Sequence, residues 1–491
     1  MGFNWRIIYP EIAVLITGFV LLIVDLFLKK FKNGILTAIG VVGIMTSMWL
    51  VFDNWSFIGV SFQGIVANDP IAFFFKVIFC IGTLLTILVS TSYVKREMKG
   101  IGEYYVLLFM STFGMMVMAS STDLLTIFLG LEVMSLPLYV LAGIYRQRPR
   151  SREASMKYFL MGAFASGFLL YGIALIFGAF GSTNMIEISQ RLGLGGNYSG
   201  ILVGAGMTFL LIGIGFKVAV VPFHMWVPDV YEGSAAPVTA FMSAGPKAAG
   251  FAALFRIFSA FWPVLSDNFT TVLWILAVLT MTWGNVLAIS QTNIKRMLAY
   301  SSIAHAGYVM IALTVGGKDG LAAAAFYLLI YTIINIGAFA VVIFFAGQKE
   351  SLERIADYSG FGYRYPFPGF ALAVFMLALA GIPATAGFVG KYKIFLGAID
   401  SGFVWLAIIG IINSLVSVWY YIYVVVTMYM KPLDGKAPKA VLSPSLFAAI
   451  LITLFGTLYL GLFPGDWLSL ANWAGNHEAW TAILRQIFIS L

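Results

Sequence analysis

The chain contains few of the residues from which redox and metal centres are built. Its 491 residues include one cysteine, Cys80, and three histidines that lie far apart, His224, His305 and His477. One cysteine cannot form an internal disulfide or supply a thiolate cluster, so an iron–sulfur centre or cysteine-ligated zinc within the chain is excluded. The sequence has no G-x-G-x-x-G after a predicted strand and no Walker-type loop, so nucleotide binding has no support.

Charged residues are scarce as well, and long apolar runs take their place. Only 10% of the residues are charged, 61% are hydrophobic, and the mean hydropathy is +0.94. Because a soluble domain carries about 25% charged residues, this composition predicts an all-α polytopic protein of the lipid bilayer. The net charge of +8 does not indicate nucleic acid, since the basic residues fall in short loops at alternate ends of the apolar runs.

About 20 apolar residues cross the hydrocarbon core as a helix, and this length divides the chain into predicted spans. The first apolar run, between Arg6 and Lys29, is too long for a signal-peptide core and lacks a cleavage site, so we expect it to remain as a span. The fourteen predicted spans cover residues 8–28, 34–52, 71–93, 103–120, 123–145, 155–180, 201–222, 237–260, 269–290, 296–316, 320–346, 367–396, 402–430 and 442–463.

The basic residues of the loops predict the orientation of these spans. If the N-terminus lies outside, the outer segments carry only Arg6, Arg191, Lys318 and Arg485. The remaining loop lysines and arginines then lie inside, which is the usual bias of membrane proteins. We therefore expect both termini on the outer side. The membrane itself is expected to be a bacterial inner membrane, whose outer side is the periplasm.

Helix breakers interrupt two of the predicted spans. Pro222 follows Lys217 in the seventh span, and the segment GIPATAG at 381–387 precedes Lys391 in the twelfth. Proline removes a helix donor, and the freed backbone groups must find partners at membrane depth. Because broken helices in corresponding positions of two halves indicate a transport site, and five spans separate the two breaks, the pattern predicts an inverted repeat.

Four ionisable residues lie near the middle of separate spans: Glu132, Lys217, Lys247 and Lys391. A charge at the bilayer centre costs ~3 kcal/mol, so four of them predict a buried polar path with protons as the cargo. Buried lysine is suited to this because desolvation disfavours its charged form, and Glu132 and Lys217 are the expected pair. The alternatives are a static ion pair that fixes helix packing and, for Lys247 and Lys391, snorkelling to an interface.

Other polar residues are candidates for the same path. His305 lies beside serines and tyrosines in KRMLAYSSIAHAGYVM, and neutral imidazole can both donate and accept a hydrogen bond. Tyr331 and Asn335, one turn apart, are accessory candidates for a water wire, and His224 is a candidate border of an inner inlet. For each of these residues the alternative is an ordinary interhelical polar contact.

Three sequence blocks carry a family resemblance. They are FKVAVVPFHMWVPDVYEGSAAPVTAFMSAGPKAAGFAALFR, NIKRMLAYSSIAHAGYVM and GIPATAGFVGKYKIF. These blocks resemble the antiporter-like membrane subunits of proton-pumping NADH:quinone oxidoreductase (respiratory complex I), and the resemblance runs from about residue 100 to residue 430. Within that family the chain is most similar to the fourteen-span subunit N (subunit 2) branch, which has a lysine at the place of Lys391.

The resemblance implies roles for the same residues. Glu132 corresponds to the glutamate of the fifth span, Lys217 to its pairing lysine in the seventh, and Lys247 to the central lysine of the eighth. Lys391 corresponds to the twelfth-span residue on the output side, and His305 falls within the tenth-span block. Protons would move through these side chains and water, driven by redox chemistry on other subunits.

The resemblance also implies an architecture and partners. Two inverted five-helix repeats are expected at 101–260 (helices 4–8) and 261–431 (helices 9–13). Three helices precede them at 1–100, and a last helix and tail follow at 432–491. NADH, FMN, iron–sulfur clusters and quinone are expected on partner subunits, with no cofactor and no metal in this chain. The expected partners are other membrane-arm subunits, including further antiporter-like ones.

Two other interpretations remain open at this point. An Mrp-type sodium/proton antiporter subunit shares the fold and the glutamate–lysine motif. A non-conducting scaffold of the membrane arm is the alternative from a different functional class.

Overall fold

The computed structural model describes residues 4–28, 32–97, 101–193, 198–262, 267–346, 350, 352–432 and 442–476. Helices dominate these residues. In chain order they are α1 Tyr9–Phe27, α2 Lys32–Asp53, α3 Pro70–Glu97, α4 Ile101–Ser120, α5 Leu124–Ala142, α6 Pro149–Phe180, α7 Met185–Gly193, α8 Gly200–Val218, α9 Trp226–Gly233, α10 Ala236–Phe261, α11 Asp267–Ile289, α12 Ile294–Val315, α13 Gly317–Phe345, α14 Phe361–Arg364, α15 Pro366–Ala380, α16 Ala386–Asp400, α17 Val404–Met430, α18 Pro444–Leu462 and α19 Gly465–Ala474. A short antiparallel hairpin, β1 Gly59–Ser61 and β2 Val66–Asn68, joins α2 to α3, with Gly59 opposite Asn68.

The predicted all-α polytopic fold is confirmed. Within the described residues, twelve helices are long and apolar enough to cross a membrane. At the other two predicted spans lie α10, which has 26 residues, and the pair α15 and α16, which have 15 residues each. The number of fourteen spans therefore stays a prediction.

The helices differ in how deeply they are buried, and this places the polar residues. The most apolar stretch of 18 residues is wholly buried in α13 and 89% buried in α12. In α6 and in α17 only 33% of the corresponding stretch is buried. Large apolar side chains such as Phe164 on α6 and Leu415 on α17 are exposed, as expected for helices that face lipid. The centre of the bundle is thus formed by α3, α10, α12 and α13, where a charge can be shielded from lipid.

Side-chain caps begin two of the helices that carry candidate residues. The Asp123 carboxylate accepts a hydrogen bond from Thr126 N at 3.0 Å and starts α5. Asn293 accepts from Lys295 N at 2.9 Å and starts α12. Such caps satisfy backbone donors that have no partner within the helix.

The seventh predicted span ends as a helix at Val218, one residue after Lys217. Ala219 has a φ of 65°, and Val220 N donates back to Gly215 O at 2.9 Å. The indole of Trp226 donates to Phe216 O, also at 2.9 Å. The backbone groups freed by the break are therefore satisfied by neighbouring protein groups, as membrane depth requires.

The twelfth predicted span consists of two half-helices, α15 and α16. Gly381 ends α15 with a φ of 88°, which is favourable for glycine. Gly387 in the first turn of α16 lies so close to α15 that a Cβ there would be 1.7 Å from Ala378 O. Both predicted interruptions are therefore present, and the second brings two helix ends into direct contact.

A fully buried ion pair fastens α10 to the start of α3. The Arg256 guanidinium binds both Asp69 oxygens, at 2.7 and 3.0 Å, and its Nε donates to Ala119 O at 2.5 Å. Asp69 also accepts from Ala72 N at 2.8 Å. Fork-shaped guanidinium–carboxylate pairs of this kind combine direction with charge.

We expect Arg256→Ala to destabilise the chain by about 3–5 kcal/mol, because it leaves the Asp69 carboxylate buried and unpaired. Thermal unfolding of the purified membrane protein measures this loss. The matched control is the double variant Asp69→Asn/Arg256→Met, which removes both charges and should be less damaging than Arg256→Ala alone. An unchanged unfolding temperature in Arg256→Ala would show that this pair does not stabilise the fold.

Candidate functional site

Lys217 lies in the last turn of α8 inside an aromatic cage. Its Nζ donates to the Tyr139 hydroxyl at 2.9 Å and lies 5.1 Å from the centre of that ring. The rings of Tyr158 and Phe216 are 5.7 and 5.5 Å away. Aromatic faces attract a cation, and the C-terminal end of a helix carries partial negative charge, so both features stabilise an ammonium here.

Glu132 is half-buried on α5 and accepts a hydrogen bond from Ser166 on α6. The expected direct pairing with Lys217 is not formed, since the ion pairs of the described residues do not include these two groups. Lys217 instead binds Tyr139, two turns along α5 from Glu132. The structure therefore links Lys217 to the helix that carries Glu132 through the Tyr139 hydroxyl.

Lys247 is buried in the middle of α10, and its ammonium binds one residue of α12. Its Nζ donates to Ser302 O at 2.5 Å and also to the Ser302 hydroxyl. Gly250, less than one turn along α10, packs on α8 where its Cβ would be 3.7 Å from Lys217 Cβ. The helices of the two lysines are thus in contact, although no hydrogen bond joins the lysines within the described residues.

His305 lies one turn beyond Ser302 on α12 and is held by two tyrosines. Its Nδ1 is 2.5 Å from the Tyr327 hydroxyl of α13, and its Nε2 is 2.9 Å from the Tyr421 hydroxyl of α17. The Tyr421 hydroxyl is in turn 2.5 Å from the Ser301 hydroxyl. An imidazole between two hydroxyls can accept a proton on one side and donate on the other, which suits proton relay.

Tyr331 and Asn335 project from α13 toward the same region. The Tyr331 ring is centred 5.0 Å from the His305 ring, and its buried hydroxyl has no hydrogen-bond partner within the described residues. Asn335 Nδ2 donates to the Ser243 hydroxyl at 2.5 Å, one turn before Lys247 on α10, while its Oδ1 is unpaired. Buried unpaired polar atoms are places where ordered water is expected.

A cavity of about 10 Å³ connects His305 to the broken helix. Its lining residues are His305, Tyr327, Ile330, Tyr331, Ile334, Ala378, Leu379 and Gly387. This volume is near the smallest that can hold one water molecule, and the exposed surface of the lining is mainly apolar. The gap therefore lies between the imidazole and the ends of both half-helices.

Lys391 is buried on α16 and does not snorkel. Its Nζ donates to Leu379 O and Ala380 O at 2.8 and 3.0 Å, which are carbonyls at the C-terminal end of α15. It also donates to the Ser414 hydroxyl at 2.9 Å and lies 5.1 Å from the centre of the Tyr308 ring. The break thus supplies the acceptors for this ammonium, because the last carbonyls of α15 have no partners within their own helix.

His224 lies in the segment between α8 and α9. Its side chain is buried, and its Nδ1 has no hydrogen-bond partner within the described residues. The nearby α9 carries Asp229, which binds Lys157 and Arg296 at 2.7 and 2.8 Å. Partial burial alone would raise the pKa of Asp229, but hydrogen bonds from these two cations hold that pKa below its usual value.

A second cluster at the same end of the bundle is built around Glu350, in the loop after α13. Glu350 accepts hydrogen bonds from Lys295, at 3.1 Å, and from Ala236 N, at 2.8 Å, and it also binds Tyr93. Burial alone would raise the pKa of Glu350, but the Lys295 charge, followed by these donors, keeps that pKa below its usual value. One carboxylate therefore joins α3, α10 and α12.

The sequence analysis missed several partners of the candidate residues. Tyr139, Tyr327 and Tyr421 had no distinguishing signal among 23 tyrosines. A further buried lysine, Lys76, pairs with Glu11, and its position within FFFKVIFC was a usable signal by the same criterion that selected Lys247. Within the described ranges, no group of three or more His, Cys, Asp or Glu side chains is placed to hold a metal ion.

Comparison with known proteins identifies the class to which this fold and site belong. Residues 121–417 match the family described as NADH:quinone oxidoreductase/Mrp antiporter, TM. A protein named NADH-quinone oxidoreductase subunit N from Trichlorobacter lovleyi is 45% identical, over 96% of this chain and 97% of its own length. The chain belongs to the family of antiporter-like membrane subunits of NADH:quinone oxidoreductase, among relatives of the subunit N type, as the sequence blocks predicted.

Solved structures agree with this assignment. A chain of respiratory complex I from Thermus thermophilus with bound aureothin superposes with a TM-score of 0.80 at 33% identity, covering 94% of this chain and 99% of its own. A chain of the Mrp complex from Dietzia sp. gives a TM-score of 0.83 at 21% identity, covering 98% and 99%. The second likeness shows the shared fold alone.

Proposed function

We propose that this chain is a proton-translocating subunit of the membrane arm of an NADH:quinone oxidoreductase. The observation that carries the proposal is the row of buried ionisable side chains on α8, α10, α12 and α16, namely Lys217, Lys247, His305 and Lys391. Within the part of the chain that the structure describes, each of them contacts hydroxyl or carbonyl groups rather than a permanent counter-ion. A lysine without a fixed carboxylate partner can release its proton at lower cost, because no ion pair has to be broken.

In this proposal the proton moves laterally between helices. Glu132 modulates Lys217 electrostatically past Tyr139, and Lys247 exchanges protons with Ser302 and the water expected beside Tyr331 and Asn335. His305 connects that region to the cavity at the broken helix, and Lys391 delivers protons to the outer side. His224 remains a candidate for the inner inlet.

We further propose two inverted repeats at 101–260 and 261–431, flanked by 1–100 and 432–491. The surroundings of Lys217 and Lys391, the lysines beside the two helix interruptions, support this division. Lys217 lies in the last turn of α8, and Lys391 binds the last carbonyls of α15, so each ammonium is placed at the C-terminal end of a half-helix. The partial negative charge at a helix C-terminus would stabilise the ammonium in both places.

We base the proposed partners, cofactors and membrane on the family. NADH, FMN, iron–sulfur clusters and quinone would be bound by other subunits, and this chain would contact other membrane-arm subunits. We propose the bacterial cell membrane with both termini outside. Arg148, Arg150 and Arg296 support this orientation, because they share contacts with one group of acids at the end of the bundle proposed as inner.

We expect Glu132→Ala and Lys217→Ala each to reduce NADH-driven proton pumping without preventing assembly. The reason is that each charge changes the proton affinity of the other across the Tyr139 hydroxyl. The double variant should lose less than the sum of the single variants, because the groups act as a unit. Proton uptake and release by vesicles, measured together with NADH oxidation, tests this expectation.

Tyr139→Phe is the informative control for this pair, since it removes the hydroxyl bound by Lys217 and keeps the ring. We expect an intermediate loss of pumping. Wild-type rates in both single alanine variants, at normal assembly, would mean that the pair is structural.

Purification of the native complex discriminates between the interpretations that share this fold. NADH dehydrogenase subunits should copurify with the chain. Copurification of other antiporter subunits in place of dehydrogenase subunits would favour the Mrp-type alternative. Normal pumping after neutralisation of Lys247 would favour a scaffold.

A further inference from the structure

A buried acid–base pair lies in the N-terminal helices, outside the two proposed repeats. Glu11 is in the first turn of α1 and Lys76 in the second turn of α3, and their Oε1 and Nζ atoms are 2.8 Å apart. The side chains are 4% and 1% exposed. Ser120, the last residue of α4, donates to the same Glu11 oxygen at 2.8 Å. Three helices therefore converge on one carboxylate.

The polar atoms of this pair are incompletely satisfied. Within the described residues, Lys76 Nζ meets an acceptor only at Glu11 Oε1, and Glu11 Oε2 has no hydrogen-bond partner. An ammonium has three donors, and a carboxylate accepts on both oxygens. Because nearly all buried polar groups are paired with protein or water, this shortfall indicates a place where water binds or a proton moves.

The neighbouring ion pair of Arg256 and Asp69 differs from the Glu11–Lys76 pair in how fully its polar atoms are hydrogen-bonded. Its guanidinium binds both carboxylate oxygens and Ala119 O. Ala119 is adjacent to Ser120, the residue that donates to Glu11. An arginine stays protonated in proteins, so this satisfied pair can only hold helices together. Glu11 and Lys76, in contrast, are both residue types that exchange protons.

The remaining surroundings contain few groups that compete for this proton. The Ser47 hydroxyl of α2 donates to Pro10 O at 2.9 Å, beside Glu11. The Cys80 thiol lies one turn along α3 from Lys76 and is 4.0 Å from the Ser47 hydroxyl. These groups come from the same N-terminal helices and are polar but uncharged in their ordinary state.

We propose that Glu11 and Lys76 form a proton-binding site of this subunit, a proposal that rests on the function proposed above. The proton moves from Lys76 Nζ to Glu11 Oε1, so that one N–H bond breaks, one O–H bond forms, and a neutral amine and acid remain. The amine then takes a proton from water. The acid releases its proton to water through the Ser120 hydroxyl, at the end of the bundle that faces outside in the proposed orientation.

The test uses the intact complex with the double variant Glu11→Gln/Lys76→Met. Removing both charges avoids the cost of a single unpaired ion, so assembly should be retained. We expect NADH oxidation within about twofold of wild type, with fewer protons pumped per NADH. We also expect redox-difference infrared spectra to lose an acid carbonyl band in Glu11→Gln, which a purely structural pair would not contribute.

The matched control is Asp69→Asn/Arg256→Met, which neutralises the ion pair whose guanidinium binds Ala119 O, next to Ser120, and should keep the wild-type number of protons per NADH. An unchanged pumping ratio and an unchanged infrared spectrum in the Glu11 and Lys76 variants would overturn the inference. Lys247→Ala is measured in parallel. If it loses pumping while the Glu11 and Lys76 variants do not, only this inference fails; if it pumps normally, the proposed function fails.

Discussion

Lys247→Ala is expected to reduce NADH-driven proton pumping by roughly tenfold or more, the largest effect of any single substitution in the chain. Lys247 is buried at the centre of α10, and its ammonium binds Ser302 across the interface with α12. Alanine would remove the ammonium that joins α10 to α12 at Ser302, one turn before His305. Pumping by vesicles at matched complex content measures the loss.

Two variants make this prediction specific. Lys247→Arg restores the positive charge but stays protonated, so we expect it not to restore pumping. Lys318→Ala removes an exposed lysine at the start of α13 and should be silent. Full activity of Lys247→Arg would show that deprotonation of this residue is not an obligatory step.

Gly387→Leu is expected to slow pumping about as much as Lys391→Ala does. Any Cβ at Gly387 meets Ala378 O at 1.7 Å, so the two half-helices must separate. Their separation displaces the Leu379 and Ala380 carbonyls from Lys391, and the leucine side chain fills the cavity beside His305. The substitution thus alters the surroundings of the lysine while leaving the lysine in place.

Gly397→Leu is the matched control, because it lies on the same helix and a Cβ there meets nothing within 4 Å. It should assemble and pump normally. If Gly387→Leu assembles and pumps normally while Lys391→Ala does not, Lys391 works without the broken helix. If both are silent, the proton outlet lies elsewhere.

Several features of the site were predictable because they carry a large energetic cost. Glu132, Lys247 and Lys391 were found in the sequence because a charge within an apolar run is expensive and therefore rare. The two interruptions were found because proline and glycine act on the backbone wherever they occur. The same cost argument, applied to the third span, would also have selected Lys76.

The partners of these residues were not predictable. The sequence suggested that Lys217 pairs with Glu132, whereas the structure gives it the hydroxyl of Tyr139. The sequence left open whether the Lys391 side chain reaches the membrane interface. In the structure its ammonium binds the carbonyls that end α15. In helices that are apolar all round, no periodicity shows which face a polar side chain occupies.

Sequence patterns were enough to identify a multi-span α-helical membrane protein of the complex I antiporter-like family, with broken helices and central ionisable residues. Composition, breakers and buried charge are local properties, and each is visible in a single span. Which groups meet is known only from the folded bundle, as with Lys247 and Ser302 or Glu11 and Lys76. Those contacts depend on the rotation and depth of helices that are distant in the chain, and packing of the whole bundle sets both.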